Sequence, residues 1–441
     1  MNKYYVEDII EKIGEEVELY GWVNNIRDHK KIIFVDLRDR SGLVQVIGDE
    51  RFRELSPEDI VRIKGTVQKR PEKLINPRLK SGTIELKASE FEILSKSHEL
   101  PVDMSKDELN VTLPTLLDYR SLTLRHPKIS SIFKVQATIL EGFRKAAQEL
   151  GCIEIIVPTI VAGATEGGAE VFPIEYFDHK AFLSQSPQLY KQMLIPIFER
   201  VFTIAKAYRA EPSVTTRHLA EATQLDIELG FVEFEDLLDT LENVAVSMLK
   251  NTEKTCKDIL KDFGVEPIAF GPIPRLTLRE AQETLLKEYG RDNRSEKDLT
   301  PQDEVDLCRW VREKHKSDLV TITHFPTQAK PFYTMPDPKD PTYSLSYDLL
   351  FRGVEILSGS QRINDYAQLV ESIKTRGMNP NNFEMYLQAF RYGMPAEGGF
   401  SFGLERVTMH VLGLKNIREA SLFPRDMERV DTKLSKKEGR N

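Results

Sequence analysis

Apolar residues recur at every second position through much of the first hundred residues and at every third or fourth from Pro127 onward. This change of period constrains the fold more than any other feature of the chain. Val17, Leu19, Gly21 and Val23 alternate with polar residues, as a half-buried strand requires. Ile33 to Leu37 and Leu43 to Ile47 follow, joined by the hairpin-forming turn Asp39-Arg40-Ser41-Gly42. A helical segment is expected after Ser56-Pro57, then strands at Val61 to Val67 and Thr83 to Leu86. In the second region Ile132, Val135, Ile139 and Phe143 form one apolar stripe, and Gly151 stops that helix. Cys152 to Val157 reads as a strand closed by Pro158. Residues 235–262 read as a helix with Leu238, Leu241, Ala245 and Met248 on one face. Strand-like runs return at Leu319 to Ile322 and from Tyr343 to Ile356. Strands and helices mix without βαβ alternation, which predicts an α+β domain on an antiparallel sheet flanked by helices.

The chain has 441 residues, enough for two or three domains. No run of about 18 apolar residues is present, which excludes a membrane-spanning helix. The acidic opening MNKYYVEDIIEKIGEE has no apolar signal core, and Cys152, Cys256 and Cys308 lack zinc spacing; both fit a cytoplasmic protein. Five strands with a helix between the third and fourth predict an OB-fold β-barrel, a scaffold that often binds oligonucleotides. Phe34 can stack a base, Arg27 and Arg38 lie near it, and the Gln45 amide can both donate to and accept from a base edge. The net charge of −8 argues against a purely electrostatic nucleic-acid binder. Yet Arg62, Lys64, Lys69, Arg70, Lys73, Arg78 and Lys80 face a single acid, Glu72, in that stretch. They form either a phosphate-steering patch or a solvated charged face. The expected division is an OB domain at 1–100, a connector at 101–126, a catalytic domain at 127–430 and a tail at 431–441.

Three constellations carry chemistry. Tyr208-Arg209-Ala210-Glu211 and Thr215-Thr216-Arg217-His218-Leu219 flank a loop, with Asp226 beyond. Arginines on both sides of a loop suit a polyphosphate, because guanidinium forks bind phosphate oxygens in pairs. Asp348 to Ile356 is followed by Ser358-Gly359-Ser360-Gln361-Arg362, where Glu355 and Ser358 can offer oxygens to magnesium. Gly398-Gly399-Phe400-Ser401-Phe402-Gly403-Leu404-Glu405-Arg406 has glycines that admit a ligand ahead of a helix bearing an arginine. Taken singly, each could instead be a set of surface or ion-paired arginines.

In this order the three resemble the signature motifs of class II aminoacyl-tRNA synthetases. The aspartyl/asparaginyl/lysyl subgroup matches best, and within it the aspartyl enzymes of archaeal/eukaryotic type. Gly21-Trp22-Val23, Leu37-Arg38-Asp39, Leu117-Asp118-Tyr119-Arg120 and Leu124-Arg125 are similar to the same subgroup. The resemblance implies that ATP and L-aspartate form aspartyl-adenylate, with pyrophosphate leaving, and that the aspartyl group passes to the 3′ end of tRNA(Asp), with tRNA(Asn) left open as a second acceptor. It further implies a homodimer built on the motif ending at Pro158.

Residue by residue, the resemblance gives Arg209 to the α-phosphate, Glu211 to adenine, and Arg217 and Arg406 to the γ-phosphate, making these three arginines the catalytic set. His218, Leu219 and Gly403 complete the ATP site, and Glu355 with Ser358 hold Mg2+. Ser186, Gln188, Lys191, Asp226, Ser358 and Arg362 would hold aspartate, Lys191 and Arg362 sharing its side-chain carboxylate. The segment Ala164-Thr165-Glu166-Gly167-Gly168 would close over the amino acid, with Glu166, like Asp226, on its ammonium group. Arg27, Phe34, Gln45, Lys80 and Glu85 would touch the anticodon. Two positions depart from the pattern: Glu397, where many relatives have histidine, and Ala222, where many have an aromatic ring. The rival readings are an asparaginyl enzyme, a specialised paralogue or amide ligase, and a non-catalytic RNA-binding relative.

Overall fold

A computed structural model describes residues 3–30, 32–77, 79–106, 108–163, 170–211, 215–431 and 433–434. The chain divides into two compact units, 1–128 and 129–441, so the stretch 101–126 falls within the first.

The first unit holds a closed barrel of five strands: β1 (Glu16–His29), β2 (Ile32–Arg38), β3 (Leu43–Gly48), β4 (Ile60–Lys69) and β5 (Ile84–Ser95), in the order β1-β2-β3-β5-β4. This is the OB-fold barrel that the alternating pattern predicts. Val17, Leu19, Val23, Val35, Val44 and Ile63 fill its interior. The helix expected after Ser56-Pro57 lies earlier, as a 3₁₀ turn at Glu50–Glu54. The Asp49 carboxylate accepts from the Arg51 amide (3.0 Å) and starts that turn, and Phe52 buries its ring against Phe91. Ser56 is committed elsewhere: its amide donates to Asp59 (2.7 Å).

The basic stretch from Arg62 is not a bare cationic patch. Arg62 pairs with Glu18 and Glu92, and Lys64 with Glu16, all contributed by neighbouring strands. Arg70 is buried beside Glu85 (3.8 Å). Lys69, Lys73 and Lys80 are exposed, and Arg78 lies outside the described residues. The connector contains helices at Leu113–Asp118 and Arg120–Thr123. Thr112 caps the first, accepting from the Thr115 amide.

The second unit is built on an eight-stranded sheet. Its strands are β6 (Ile153–Glu154), β10 (Arg200–Tyr208), β11 (Glu221–Gly230), β12 (Arg275–Thr277), β13 (Leu319–Thr323), β14 (Ser346–Phe351), β15 (Val354–Gln361) and β16 (Glu397–Gly403). The order is β12-β13-β14-β15-β16-β11-β10-β6, antiparallel except for the two outermost pairs. A small sheet of β7 (Ile160–Val161), β8 (Pro173–Tyr176) and β9 (His179–Leu183) stands apart from it in the topology. The helices Pro127–Glu149 and Phe234–Thr255 bury their apolar stripes in the main core, with Ile139, Phe143, Leu241 and Met248 against Phe202 and Phe402. Gly151, in the left-handed region at φ +77°, ends the first helix as expected.

Three expectations for this unit change. The strand from Cys152 shrinks to two residues: Ile153 and Glu154 pair in register with β10, Ile155 adds one amide bond to the Phe202 carbonyl (2.9 Å), and its side chain packs into a separate apolar cluster. The run from Tyr343 to Ile356 is not one strand. It turns at Arg352-Gly353, both at positive φ, into the hairpin β14–β15. The helix over 235–262 breaks at Cys256, and a second one begins at Lys257.

Candidate active site

The register of the central strands builds the site. Asp226 on β11 lies opposite Ser401 on β16, Ser401 opposite Ser358 on β15, and Ser358 opposite Asp348 on β14. One polar row therefore crosses four strands. The next row on the same face holds Glu228, Gly399 and Ser360, because strand side chains alternate with period two. The Ser401 hydroxyl donates to Asp226 (3.1 Å) and ties the two ends of the site together.

At one end of the row is a cavity of about 190 Å3. Arg209, Glu211, Arg217, His218 and Leu219 line it from the β10–β11 side. Glu355 and Ser358 line it from β15, and Gly403 and Arg406 from the start of the helix Leu404–Leu412. Every residue expected to bind ATP thus meets in one hollow. Among the described residues, the Arg209 guanidinium has no ion-pair partner, and the side chain is exposed. The other two arginines are engaged. Arg217 donates to Glu304 (2.9 Å), and Arg406 donates to the Glu355 carbonyl (2.9 Å) with its carboxylate at 3.4 Å. Burial pushes the Glu304 carboxyl up to about 7, against the opposing pull of Arg217. Thr215 orders the turn: its hydroxyl accepts from the Arg217 amide (3.1 Å) and bonds His218 Nδ1 (2.6 Å). Ala222 also lines the hollow and packs with Leu219 and Ile417, so aliphatic side chains flank it at this position.

Glu355 and Ser358 are oxygen donors of the kind a hard cation takes, and they open onto this cavity. Burial, and after it the nearby Asp348, raises the Glu355 carboxyl, so a cation there relieves an unfavourable crowding of acids. Asp348 itself is held by Lys330 (3.0 Å).

At the other end of the row is a fully buried charge cluster. Lys191, on the helix Gln188–Met193, donates to Asp226 (2.7 Å) and lies 3.0 Å from Glu228. Arg362 donates to Glu228 (2.8 Å), to Ser360 (2.6 Å) and to the Gly399 carbonyl (2.9 Å). The Gln188 amide carbonyl accepts from Arg362 at 3.3 Å. Burial alone would lower Lys191, but Asp226 and Glu228 outweigh it and hold the ammonium charged. Burial likewise opposes ionisation of Glu228, yet Arg362 and then Lys191 keep it below the usual carboxylate range. The sequence placed Lys191, Arg362, Gln188 and Asp226 together correctly in space but missed Glu228, which bridges both cations. The signal was available: Asp226 and Glu228, two apart on one strand, share a face.

Ser186 is buried at the start of the same helix and accepts from the Gln188 amide (3.2 Å). Ser358, expected to serve aspartate as well as magnesium, lines the nucleotide cavity rather than the charge cluster. Glu166 and the segment around it lie outside the described residues.

On the barrel, Arg27, Gln45 and Glu85 form one network. Arg27 makes a bidentate pair with Asp36 (2.8 and 3.0 Å) and reaches Gln45 (3.2 Å), whose amide donates to Glu85 (3.0 Å). Phe34, opposite Arg27 in the register, is only half-buried and meets His29 edge to face, so it is not part of the barrel core. Lys80 is exposed in the turn before β5 and has no ion pair in this network.

Comparison with known proteins decides the family. The family described as tRNA synthetases class II (D, K and N) matches residues 112–427, and an OB-fold nucleic acid binding domain matches residues 17–94. The chain belongs to the class II tRNA synthetases of the D, K and N group. This synthetase is 41% identical to the aspartate--tRNA(Asp/Asn) ligase of Thermus thermophilus, over 96% of this chain and 99% of the relative. It is 42% identical to the aspartate--tRNA(Asp) ligase of Picrophilus torridus, over 97% and 99%. Among solved structures, the asparaginyl-tRNA synthetase of Pyrococcus horikoshii complexed with asparaginyl-adenylate superposes with a TM-score of 0.87 at 32% identity, covering 98% and 99% of the two chains. The aspartyl tRNA synthetase of Entamoeba histolytica gives 0.86 at 30%, covering 98% and 93%.

Proposed function

We propose that this synthetase activates L-aspartate with ATP and transfers the aspartyl group to tRNA. The observation that carries the amino-acid choice is the buried pair Lys191 and Arg362. Both reach the single carboxylate of Glu228, at 3.0 and 2.8 Å, so their spacing is that of two cations sharing one carboxylate. The side-chain carboxylate of aspartate matches them in charge, and the neutral amide of asparagine does not. Curated relatives named for aspartate, 39–42% identical over nearly the whole chain, support the same choice; the solved aspartyl and asparaginyl structures match about equally, at 29–30% and 29–32%.

In the first step an oxygen of the aspartate α-carboxylate attacks the α-phosphorus in line, and the bond to the pyrophosphate oxygen breaks. Arg209, whose guanidinium is free among the described residues, meets the α-phosphate. Arg217 and Arg406 exchange Glu304 and Glu355 for the outer phosphates, so the protein's own carboxylates hold these arginines until ATP arrives. Asp226, two residues from Glu228 and bonded to Ser401, takes the α-ammonium group of the amino acid, which frees Lys191 for the side-chain carboxylate. Glu211 reads adenine. Magnesium, held by Glu355 and Ser358, would supply positive charge to the phosphates. In the second step the terminal adenosine of the tRNA attacks the adenylate carbonyl and AMP leaves.

The division into barrel 1–100, connector 101–126 and catalytic part 127–430 belongs to this reading. Phe34 stacks an anticodon base, and the Arg27–Gln45–Glu85 network presents donors and acceptors to base edges; Lys80 serves the phosphate backbone. The reading includes a homodimer through the segment ending at Pro158. There Ile153 and Ile156 are exposed, Ile156 by 98%, as is Ile160 just beyond, as an unpaired interface would leave them. It also puts the reaction in the cytoplasm, consistent with three buried, unpaired cysteines.

The test is aminoacylation with aspartate on purified tRNA(Asp) and tRNA(Asn), with asparagine as competitor. Charging of tRNA(Asp) alone gives a discriminating enzyme, and charging of both gives the broader form named in several relatives. Charging with asparagine refutes the proposal.

A further inference from the structure

Among the described residues, Glu397 is the one carboxyl at the amino-acid end of the site that has no cation of its own. It begins β16, opposite Gly230 on β11, and its side chain is completely buried. One oxygen, Oε1, accepts from Gln192 Nε2 (2.6 Å), and the Gln192 carbonyl in turn accepts from the Tyr386 hydroxyl (3.1 Å). The other, Oε2, is buried without a partner as long as it is only an acceptor. Buried polar atoms in folded proteins are almost always satisfied, so an orphan at a charge cluster needs an explanation.

Charge counting supplies it. Lys191 and Arg362 are already paired with Asp226 and Glu228, so among the described residues no further cation is left beside Glu397. The remaining groups around it, Tyr333 against Arg362 and Tyr347 bonded to the Gly399 carbonyl, are neutral phenols, as is Tyr386. Burial, and after it the nearby Glu228 carboxylate, drives the Glu397 carboxyl well above its ordinary range. In the β11–β16 register Glu397 and Glu228 are diagonal neighbours on the same face, a separation that long side chains span. A proton on Oε2 turns the orphan acceptor into a donor and removes the repulsion in one step.

We infer that Glu397 is a positioning residue that works as a neutral carboxylic acid: it donates a hydrogen bond to Glu228 and thereby loosens the hold of Glu228 on Lys191 and Arg362, which must also accept the incoming side-chain carboxylate. The inference rests on the aspartate reading above. A glutamate kept protonated reproduces what a glutamine amide can do, accepting from Gln192 and donating to Glu228, and this makes it testable by rescue.

Two variants and two readouts test it. In aspartate-dependent ATP–pyrophosphate exchange, Glu397→Gln keeps KM for aspartate within about threefold of wild type. Glu397→Leu, which has no donor, raises that KM by about tenfold or more while kcat changes far less. In infrared spectra at about pH 7.5, where an ordinary glutamate is ionised, wild type shows a protonated-carboxyl band that is missing in Glu397→Gln. Equal KM increases in both variants would mean that the negative charge is needed and would overturn the inference. So would an unchanged KM in Glu397→Leu, or absence of the infrared band. If Glu397→Leu does not fold, the Glu397→Gln kinetics and the band still decide. If wild type shows no aspartate-dependent exchange, the aspartate reading fails, whereas the infrared band separately reports whether residue 397 carries its proton.

Discussion

Lys191→Met is the sharpest perturbation of the charge cluster. Methionine fills nearly the same volume but removes an ammonium that lies 2.7 Å from Asp226 and 3.0 Å from Glu228, with all three side chains fully buried. Deleting one partner of a buried ion pair leaves an uncompensated charge and costs about 3–5 kcal/mol. At 1.36 kcal/mol per decade that corresponds to about two to nearly four powers of ten in the folding equilibrium. Arg362 still neutralises Glu228, so the unmatched charge falls on Asp226, whose carboxyl burial already pushes up. Asp226 therefore takes a proton, and the measured loss belongs at the lower end of the range. Denaturant unfolding of the purified variant reads the stability, and ATP–pyrophosphate exchange reads KM for aspartate, which should rise by about a hundredfold if one of two cations is lost. Combining Lys191→Met with Asp226→Asn should recover most of the stability but not the KM, because the double variant has no orphaned anion yet still lacks the cation. A stability loss under about 1 kcal/mol, the range of an exposed pair, with unchanged KM would refute the reasoning.

Gly399→Ala should abolish aspartate activation: an added Cβ would lie 2.1 Å from the Ile227 carbonyl oxygen and 2.5 Å from Glu228 Oε2, and the backbone oxygen cannot move aside. Activity and thermal unfolding of the variant check this. Glu304 titrates at about 7 when folded, above its unfolded value, so its contribution to stability is present at low pH and is lost as pH rises through about 7. Glu304→Gln should remove that loss, about 3 kcal/mol at most, flattening unfolding stability between about pH 4.5 and 7. Arg209→Ala should abolish pyrophosphate exchange, since the α-phosphate loses its guanidinium. Phe34→Ala should leave exchange intact and raise KM for tRNA by about tenfold, the scale of one base–aromatic stack.

Much of the fold was legible where a single local rule applied. The alternation of Val17, Leu19 and Val23 marks a strand whose inward residues are all buried, and the stripe from Ile132 to Phe143 marks a helix stopped by a left-handed glycine. The nucleotide residues were legible because three motifs each bring their own arginine to one cavity. What escaped depends on pairing across long separations. Glu304 meets Arg217 over 87 positions, and Glu228 meets Arg362 over 134. The length of β6 depends on how far β10 runs alongside it, and the fate of the basic stretch on acids of the neighbouring strands. No local period encodes those partners.

The account stands on aspartate being the amino acid that the buried pair Lys191 and Arg362 selects. The direct measurement is ATP–pyrophosphate exchange by the purified full chain with aspartate or asparagine as the sole amino acid. Exchange dependent on aspartate, and lost in Arg362→Leu, is the predicted result; exchange dependent on asparagine at comparable kcat/KM would contradict it.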